Sequence, residues 1–423
     1  MGSLRRGGYI KSTGCWSPSR ELSNIQAAPK LVIVNDHVIH SAQLVTSNEI
    51  IADGWVVWGG DTITATGVGD DWRVHATNDS SITDAAGHYL TPGFIDIHCH
   101  GGNGSAFDDG VDAIRSALSV HRAHGTTRSV ISLVSDDHAS LAQNLTAIAE
   151  LSAVDTLVLG SHLEGPFLDA AFKGAHSPDV LRNPTPGEIE ELLAAAAGSL
   201  RQITLAPELD GALAAISQLT EAGVAVAVGH TAADYDQTLA AFDAGASLLT
   251  HAFNAMKSIH HRAPGPITAA LSRESVTLEV INDGVHVHPD VVKMLFASAP
   301  GRVALITDAM AAACSSDGHY LLGSLDVTVT DGVARLSNSA AIAGSTLTMD
   351  AAVRRAVTEV GLSIPQAVAA ATVVPARALA RGSDLGSLAV GFAADAVLLD
   401  ANFRVQAVWA AGRELSRPGH PDA

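Results

Sequence analysis

The sequence predicts an α/β chain in which a (β/α)8 barrel carries a small β-sandwich built from both ends. Three observations carry that prediction. Between about residues 91 and 384, short apolar runs alternate with Ala- and Leu-rich amphipathic stretches, the rhythm of strand–helix units around a parallel sheet buried on both faces. At both ends the runs alternate apolar and polar residues and are punctuated by Gly and Asn-Asp, the pattern of short antiparallel strands. Apolar residues make up 47 % of the 423 positions and charged residues 16 %. That balance requires a large buried core and excludes a disordered chain.

Taken in order, residues 1–30 hold Arg5, Arg6, Lys11, Arg20 and Lys30 against one acid, Glu21, and no apolar run suited to a secretory signal. They are expected to be a disordered extension. LVIVNDHVIH from Leu31 and IADGWVVWGGDTITATG from Ile51 read as strands of the N-terminal β part, residues 31–90. The barrel strands are read at Phe94–His98, Ser129–Leu133, Leu157–His162, Ile203–Ala206, Val224–His230, Ser247–His251, Leu278–Asn282 and Val303–Asp308. Helices are read between them, among them Val111–His124, Leu141–Leu151, Glu188–Gly198 and Tyr235–Gly245. An open doubly wound sheet is the competing layout, but it wants a Gly-rich turn opening a helix after the first strand. Gly101-Gly102-Asn103-Gly104 lacks that spacing and stands behind two histidines. Residues 319–344 read as a β-insertion after strand eight. Residues 385–423 complete the terminal β part, with two strands in Gly391–Trp409 around a turn at Asp400–Asn402.

With 25 basic and 44 acidic residues the formal charge is -19, a field that repels nucleic acid and anionic membranes. No nucleic-acid or membrane partner is expected, and no apolar run reaches the length of a membrane span. Cys15, Cys99 and Cys314 cannot make a disulfide framework, which points to a reducing cytoplasm.

The polar residues fall where a barrel places its chemistry, at the C-terminal ends of strands. Strand one ends in His98-Cys99-His100, strand three in His162-Leu163-Glu164, strand five in His230, strand six in His251 and strand eight in Asp308. One strand-end histidine is usually structural; five strands aiming imidazoles and carboxylates at one mouth suit a divalent transition metal, Zn or Fe more than Mg. Residues i and i+2 of a strand face the same side, so His98 and His100 can reach one ion while Cys99 points away as a small buried hydrophobe. His162 could share the face of Glu164 and is read as a supporting residue rather than a ligand.

These residues stand in TPGFIDIHCHG, HLEGPF, KGAH, GHT, THAFNAM, NDGVHV and TDAM. Together they resemble the N-acetylglucosamine-6-phosphate deacetylases of the amidohydrolase superfamily, from about Leu31 to Trp409. The resemblance implies a metal-dependent hydrolase on a (β/α)8 barrel with a flanking β-sandwich. It implies Glu164, His230 and His251 as ligands of a main metal site, with Glu164 able to bridge two ions, and His98 and His100 as ligands of a second. One or two ions per subunit are therefore expected. Lys173 and Lys257 lie in loops, so a carboxylated-lysine bridge is not expected. Asp308 matches the catalytic aspartate at the metal. Ala175 and His176 match positions facing the sugar and its acetamido group, and Asn254 and Ala255 match substrate contacts. Ile342, Ala343 and Gly344 match a loop near the sugar. Arg262 and His286 match a phosphate-binding pair, with Arg262 reaching across a homodimer interface. His260, His261, His288 and His319 match no role.

The reaction implied is hydrolysis of the acetamide of a phosphorylated amino sugar to the free amine and acetate. Asp308 would carry the proton and His176 would help to polarise the carbonyl. Dihydroorotases, ureases and D-aminoacylases share the HxH pair and the late Asp, but lack the FNAM and KGAH combination. A scaffold that had lost its activity would be expected to lose metal ligands, and here they are all present.

Overall fold

The computed structural model of the chain describes residues 36–415. The expected N-terminal extension, the start of the strand expected from Leu31 and the chain beyond Leu415 lie outside the described residues.

Eight parallel strands form the barrel: Phe94–Asp96, Thr126–Leu133, Val158–Glu164, Leu200–Leu205, Ala225–Val228, Leu248–Leu249, Thr277–Ile281 and Val303–Ile306, each hydrogen-bonded to the next in this order. Their side chains are almost wholly buried, as a sheet covered by helices requires. Strands eight and one share no ladder. The seam is closed by the Asp308 N–H donating to the His98 carbonyl at 2.9 Å and by the Thr307 hydroxyl donating to Asp96 Oδ2 at 2.5 Å. Six strands stop one or two residues short of the expected ends. His98, His230, His251 and Asp308 stand just past regular strand, and the last three turn left-handed at φ 46°, 25° and 47°. Such backbone is uncommon for residues with a Cβ, and it points these side chains inward over the mouth instead of continuing the pleat.

The helices begin where cap chemistry puts them. Expected from Leu141, the second runs His138–Val154 because Asp137 caps it, accepting from Ser140 N. Thr185 with Pro186 opens Pro186–Ala196, and Asp234 with Gln237 forms a capping box before Tyr235–Asp243. After strand eight, Met349–Thr358, Ile364–Ala370 and Val373–Ala378 complete the helical layer.

The terminal β part is one eight-stranded sheet drawn from both ends. Tyr89–Pro92 pairs antiparallel with Ala396–Leu399, which joins the two halves. His37–Val45 bends at Ser41, φ 57°, where its register shifts. Its first half pairs with Ser81–Asp84 and its second with Tyr89–Pro92. Ile39, Trp58, Leu90 and Trp409 fill the core under that bend. The chain leaves this sheet for the barrel at Gly93. The insertion is a three-stranded meander, Gly318–Leu322, Leu325–Thr330 and Val333–Leu336, packed through Val327 and Leu336 on Met310 and Ala311 beside the mouth. No helix among the described residues is long and apolar enough to cross a membrane.

Candidate active site and metal centre

Four strand ends gather around the carboxylate that ends a fifth, Glu164 on strand three. Glu164 Oε1 lies 3.1 Å from both His230 Nε2 and His251 Nε2 and 3.3 Å from His98 Nε2. Oε2 lies 3.1 Å from His100 Nε2 and 3.3 Å from His176 Nε2. Asp308 Oδ1 faces His100 and His98 at 3.5 and 3.6 Å. All of these side chains are buried or nearly so, Asp308 being 8 % exposed.

No placement of protons satisfies every contact. Two pairs of imidazole Nε2 atoms face each other, His98 with His100 at 3.1 Å and His230 with His251 at 3.0 Å. Nδ1 of His100 and Nδ1 of His251 are buried without a hydrogen-bond partner. Lone pairs directed at a common point are what ligands of a shared cation present, and a buried cluster of imidazoles and carboxylates fits a divalent transition metal. His98, His100, Glu164 and Asp308 form one such group; Glu164, His176 and His230 form another.

Hydrogen bonds sort the histidines further. The Phe172 carbonyl lies 3.0 Å from His230 Nδ1; it can only accept, so Nδ1 carries the proton and Nε2 is free to ligate. His176 is the reverse. Its Nδ1 accepts from the Ser135 N–H at 3.3 Å, which leaves Nε2 as the donor. His176 therefore offers a hydrogen bond rather than a lone pair. His162 has both nitrogens taken, by Ser132 Oγ and Thr204 Oγ1, each at 2.9 Å. Burial and the neighbouring His98 hold its pKa well below the ordinary value.

Charge stays paired within the cluster. Burial alone would strip the proton from His98, but the Glu164 and Asp308 carboxylates outweigh it and raise its pKa well above 6.5. Burial opposes ionisation of Glu164 too, yet His98 and the surrounding imidazoles hold it well below the usual carboxylate range.

Above the cluster opens a pocket of about 340 Å³, within the range of small-ligand sites. Ala175, His176, Asn254, Ala255, His286, Ile342 and Gly344 line it. Gly174 is held left-handed at φ 53°, where a Cβ would stand 3.0 Å from the His230 ring. His286 is positioned by Asp283, which accepts from its backbone N–H at 2.8 Å and from Nδ1 at 2.7 Å. One expected residue is not brought to this pocket, and Arg262, expected to serve a partner's site, does not line its own. Ala343 is buried in the core of the insertion between Ile342 and Gly344, and Ala341 lines the pocket beside them. Arg262 is exposed, its Nη1 2.7 Å from His261 Nε2, and it does not line the pocket of its own chain. Of the histidines without a role, His288 caps Pro289–Ser298 by accepting from Asp290 N.

Sequence reasoning missed Glu279, fully buried on strand seven, with Oε2 3.1 Å from His98 Nδ1. The signal was a lone acid inside the apolar run TLEVI, since an unpaired carboxylate is rarely buried. It also missed Phe172, Leu322 and Ala341 of the pocket wall, which carry no chemical signature.

Residues 89–415 match the amidohydrolase family. The chain is 40 % identical over 341 residues to the N-acetylgalactosamine-6-phosphate deacetylase of Escherichia coli O157:H7, covering 79 % of this chain and 90 % of that one. It is 36 % identical over 331 residues to the N-acetylglucosamine-6-phosphate deacetylase of Vibrio furnissii, covering 77 % and 82 %. Among solved structures, the N-acetyl-D-glucosamine-6-phosphate deacetylase of Mycobacterium smegmatis superimposes with a TM-score of 0.85 at 42 % identity, covering 90 % of this chain and all of that one. A variant of that enzyme has been crystallised with N-acetyl-D-glucosamine 6-phosphate.

Proposed function

The chain belongs to the amidohydrolase family, and on that premise we propose that it hydrolyses the acetamide of N-acetyl-D-glucosamine 6-phosphate to D-glucosamine 6-phosphate and acetate. The observation that carries this reading is the convergence of His98, His100, His230, His251 and Asp308 on Glu164 beneath a pocket of about 340 Å³. The relatives described give no support to a D-aminoacylase or dihydroorotase reading.

Glu164, His230 and His251 would hold the main ion and His98 and His100 a second, with Asp308 beside the strand-one pair. A bound divalent ion, zinc or iron, supplies a Lewis acid that makes water a nucleophile near neutral pH and polarises a carbonyl. Asp308, held over the mouth by its left-handed backbone, takes the proton of the attacking water as general base. It returns that proton to the departing amine nitrogen. His176 donates through Nε2 to the oxygen that gains charge, a role its Ser135 contact prepares. The phosphate is a remote handle that fixes the acetamido group against the mouth. His286 grips it from within the subunit, and Arg262 of the partner subunit in a cytoplasmic homodimer completes the grip. Support for that exchange is the exposure of Arg262 away from its own pocket, with no carboxylate paired to it among the described residues.

The test is amine release from N-acetyl-D-glucosamine 6-phosphate by the purified, metal-analysed protein. No turnover above the metal-free control would reject the reading. Mixed dimers of Arg262→Ala and Asp308→Asn subunits, each inactive alone, should regain activity at the one site with an intact Asp308 and a partner's Arg262. A second reading, the C4 epimer N-acetyl-D-galactosamine 6-phosphate as substrate, is favoured by the Escherichia coli relative. The ratio of kcat/KM for the two sugars decides between them.

A further inference from the structure

We infer that Glu279 is a positioning residue that holds His98 in the protonation pattern able to ligate, and so makes the second metal site. The inference rests on the reading of His98 as a ligand. Glu279 sits in the middle of strand seven, with no exposed surface. Its Oε1 accepts from Gln202 Nε2 at 2.7 Å, from a side chain on strand four. Its Oε2 accepts from the His251 backbone N–H at 3.4 Å. An amide NH2 and a backbone N–H can only donate, so both carboxylate oxygens act as acceptors. The third neighbour, His98 Nδ1, lies 3.1 Å from Oε2 and is placed to donate its proton to the carboxylate.

With the proton fixed on Nδ1, His98 Nε2 is the atom aimed at Glu164, Asp308 and His100. A carboxylate behind a ligating imidazole fixes ring orientation and raises its basicity, and losing such a partner typically costs about 10–100-fold in metal affinity. His100 has no such support; its outer nitrogen is buried without a partner. Glu279 therefore decides whether the strand-one pair works as ligands. It also touches the backbone of His251, a residue of the main site, so one buried acid spans both sites. Glutamine of the same shape would not serve. It has one acceptor and one NH2 where three donors arrive, so either Gln202 or His98 meets another N–H. An NH2 facing His98 drives the proton to Nε2 and closes that ligand.

The experiment uses the full chain, zinc alone as the probe, and 15N-labelled histidine. In zinc-loaded wild type, His98 should show a proton on Nδ1 and none on Nε2, and elemental analysis should give two ions per chain. Glu279→Gln should bind the second zinc about 10–100-fold more weakly while keeping the first. Two readouts overturn the inference: an unprotonated Nδ1 on His98 in the wild-type protein, or unchanged second-zinc affinity in Glu279→Gln. The wild-type spectrum needs no mutant, so a misfolded variant does not block the test. If the wild type takes one ion only, the two-site reading fails separately. In that case a His98 Nδ1 that keeps its proton in Glu279→Gln still overturns the role of Glu279.

Discussion

The two ends of the barrel both bury charge, and they do it in opposite ways. At the N-terminal end of strand two, Arg128 meets Asp395 of the terminal sheet through two bonds, 2.6 Å from Nε and 3.0 Å from Nη2. Its Nη1 donates to the Thr156 carbonyl at 2.6 Å, and Asp395 also accepts from Ala411 N at 2.7 Å. Every strong donor has an acceptor, so the pair is a joint between sheet and barrel. At the mouth, imidazole nitrogens face each other across Glu164 and two outer nitrogens have no partner. Satisfied burial marks a structural contact; unsatisfied burial of convergent ligands marks a site built for something that binds there.

Substitutions can break that contrast. Asp308→Asn should lower kcat by about 10²–10⁴ while the thermal midpoint and zinc content stay near wild type; a kcat within a few-fold of wild type would remove Asp308 from proton transfer. Arg128→Ala should do the converse. It leaves Asp395 buried and unpaired, at a cost of about 3–5 kcal/mol in urea unfolding, with kcat per folded enzyme unchanged. If that variant lost catalysis without losing stability, the floor of the barrel would not be a purely structural joint. Metal sharpens the comparison, because only the mouth should respond to it. Zinc at about 100 times its Kd should add about 2.7 kcal/mol to stability. A chelator should remove that gain, and His98→Gln with His100→Asn should shrink it.

The rim offers a smaller, pH-dependent test. His124 Nδ1 sits 3.1 Å from Asp350 Oδ1. The hydrogen bond to Asp350, aided by Cys314, raises the His124 pKa from the ordinary 6.5 to about 10. Burial would raise the Asp350 pKa, but His124 brings it below the usual carboxylate value. The folded state thus holds the His124 proton more tightly than the unfolded chain does. Its stabilising contribution is full below about pH 6.5 and fades as pH rises toward 10. The Asp350 contribution is lost instead in acid. Unfolding of wild type and His124→Gln should accordingly differ most between mildly acidic pH and 6.5 and converge near pH 10; a gap that widens with pH would reverse the assignment. The smallest effect is expected at Gly174→Ala. Strain at φ 53° and contact with the His230 ring should cost about 1 kcal/mol, read as a several-fold rise in KM.

Much of this was legible in the residues themselves. The eight apolar runs overlap the eight barrel strands, and the meander falls within the stretch read as a β-insertion. Glu164, His230, His251 and Asp308 were visible because polar residues ending apolar runs stand out one strand at a time. Glu279 was passed over because its value lies in its neighbours: Gln202 and His98 are 77 and 181 residues away in sequence. The ends of strands five, six and eight were read too long, since nothing local announces that His230, His251 and Asp308 leave the pleat left-handed.

By itself the sequence determined the layers of the fold, the mouth where imidazoles and carboxylates gather and the residue types that stand there. Periodicity and residue type at strand ends are local properties, set by the pleat and by burial of apolar faces. Only the tertiary structure decided which nitrogen of each histidine is free, that His176 donates where His230 can ligate, and that Arg262 stands outside its own pocket while Ala341 stands inside it. Those are decisions of hydrogen bonding and shape between segments far apart in the chain, and they exist only once the barrel has closed and brought the partners within 3 to 4 Å.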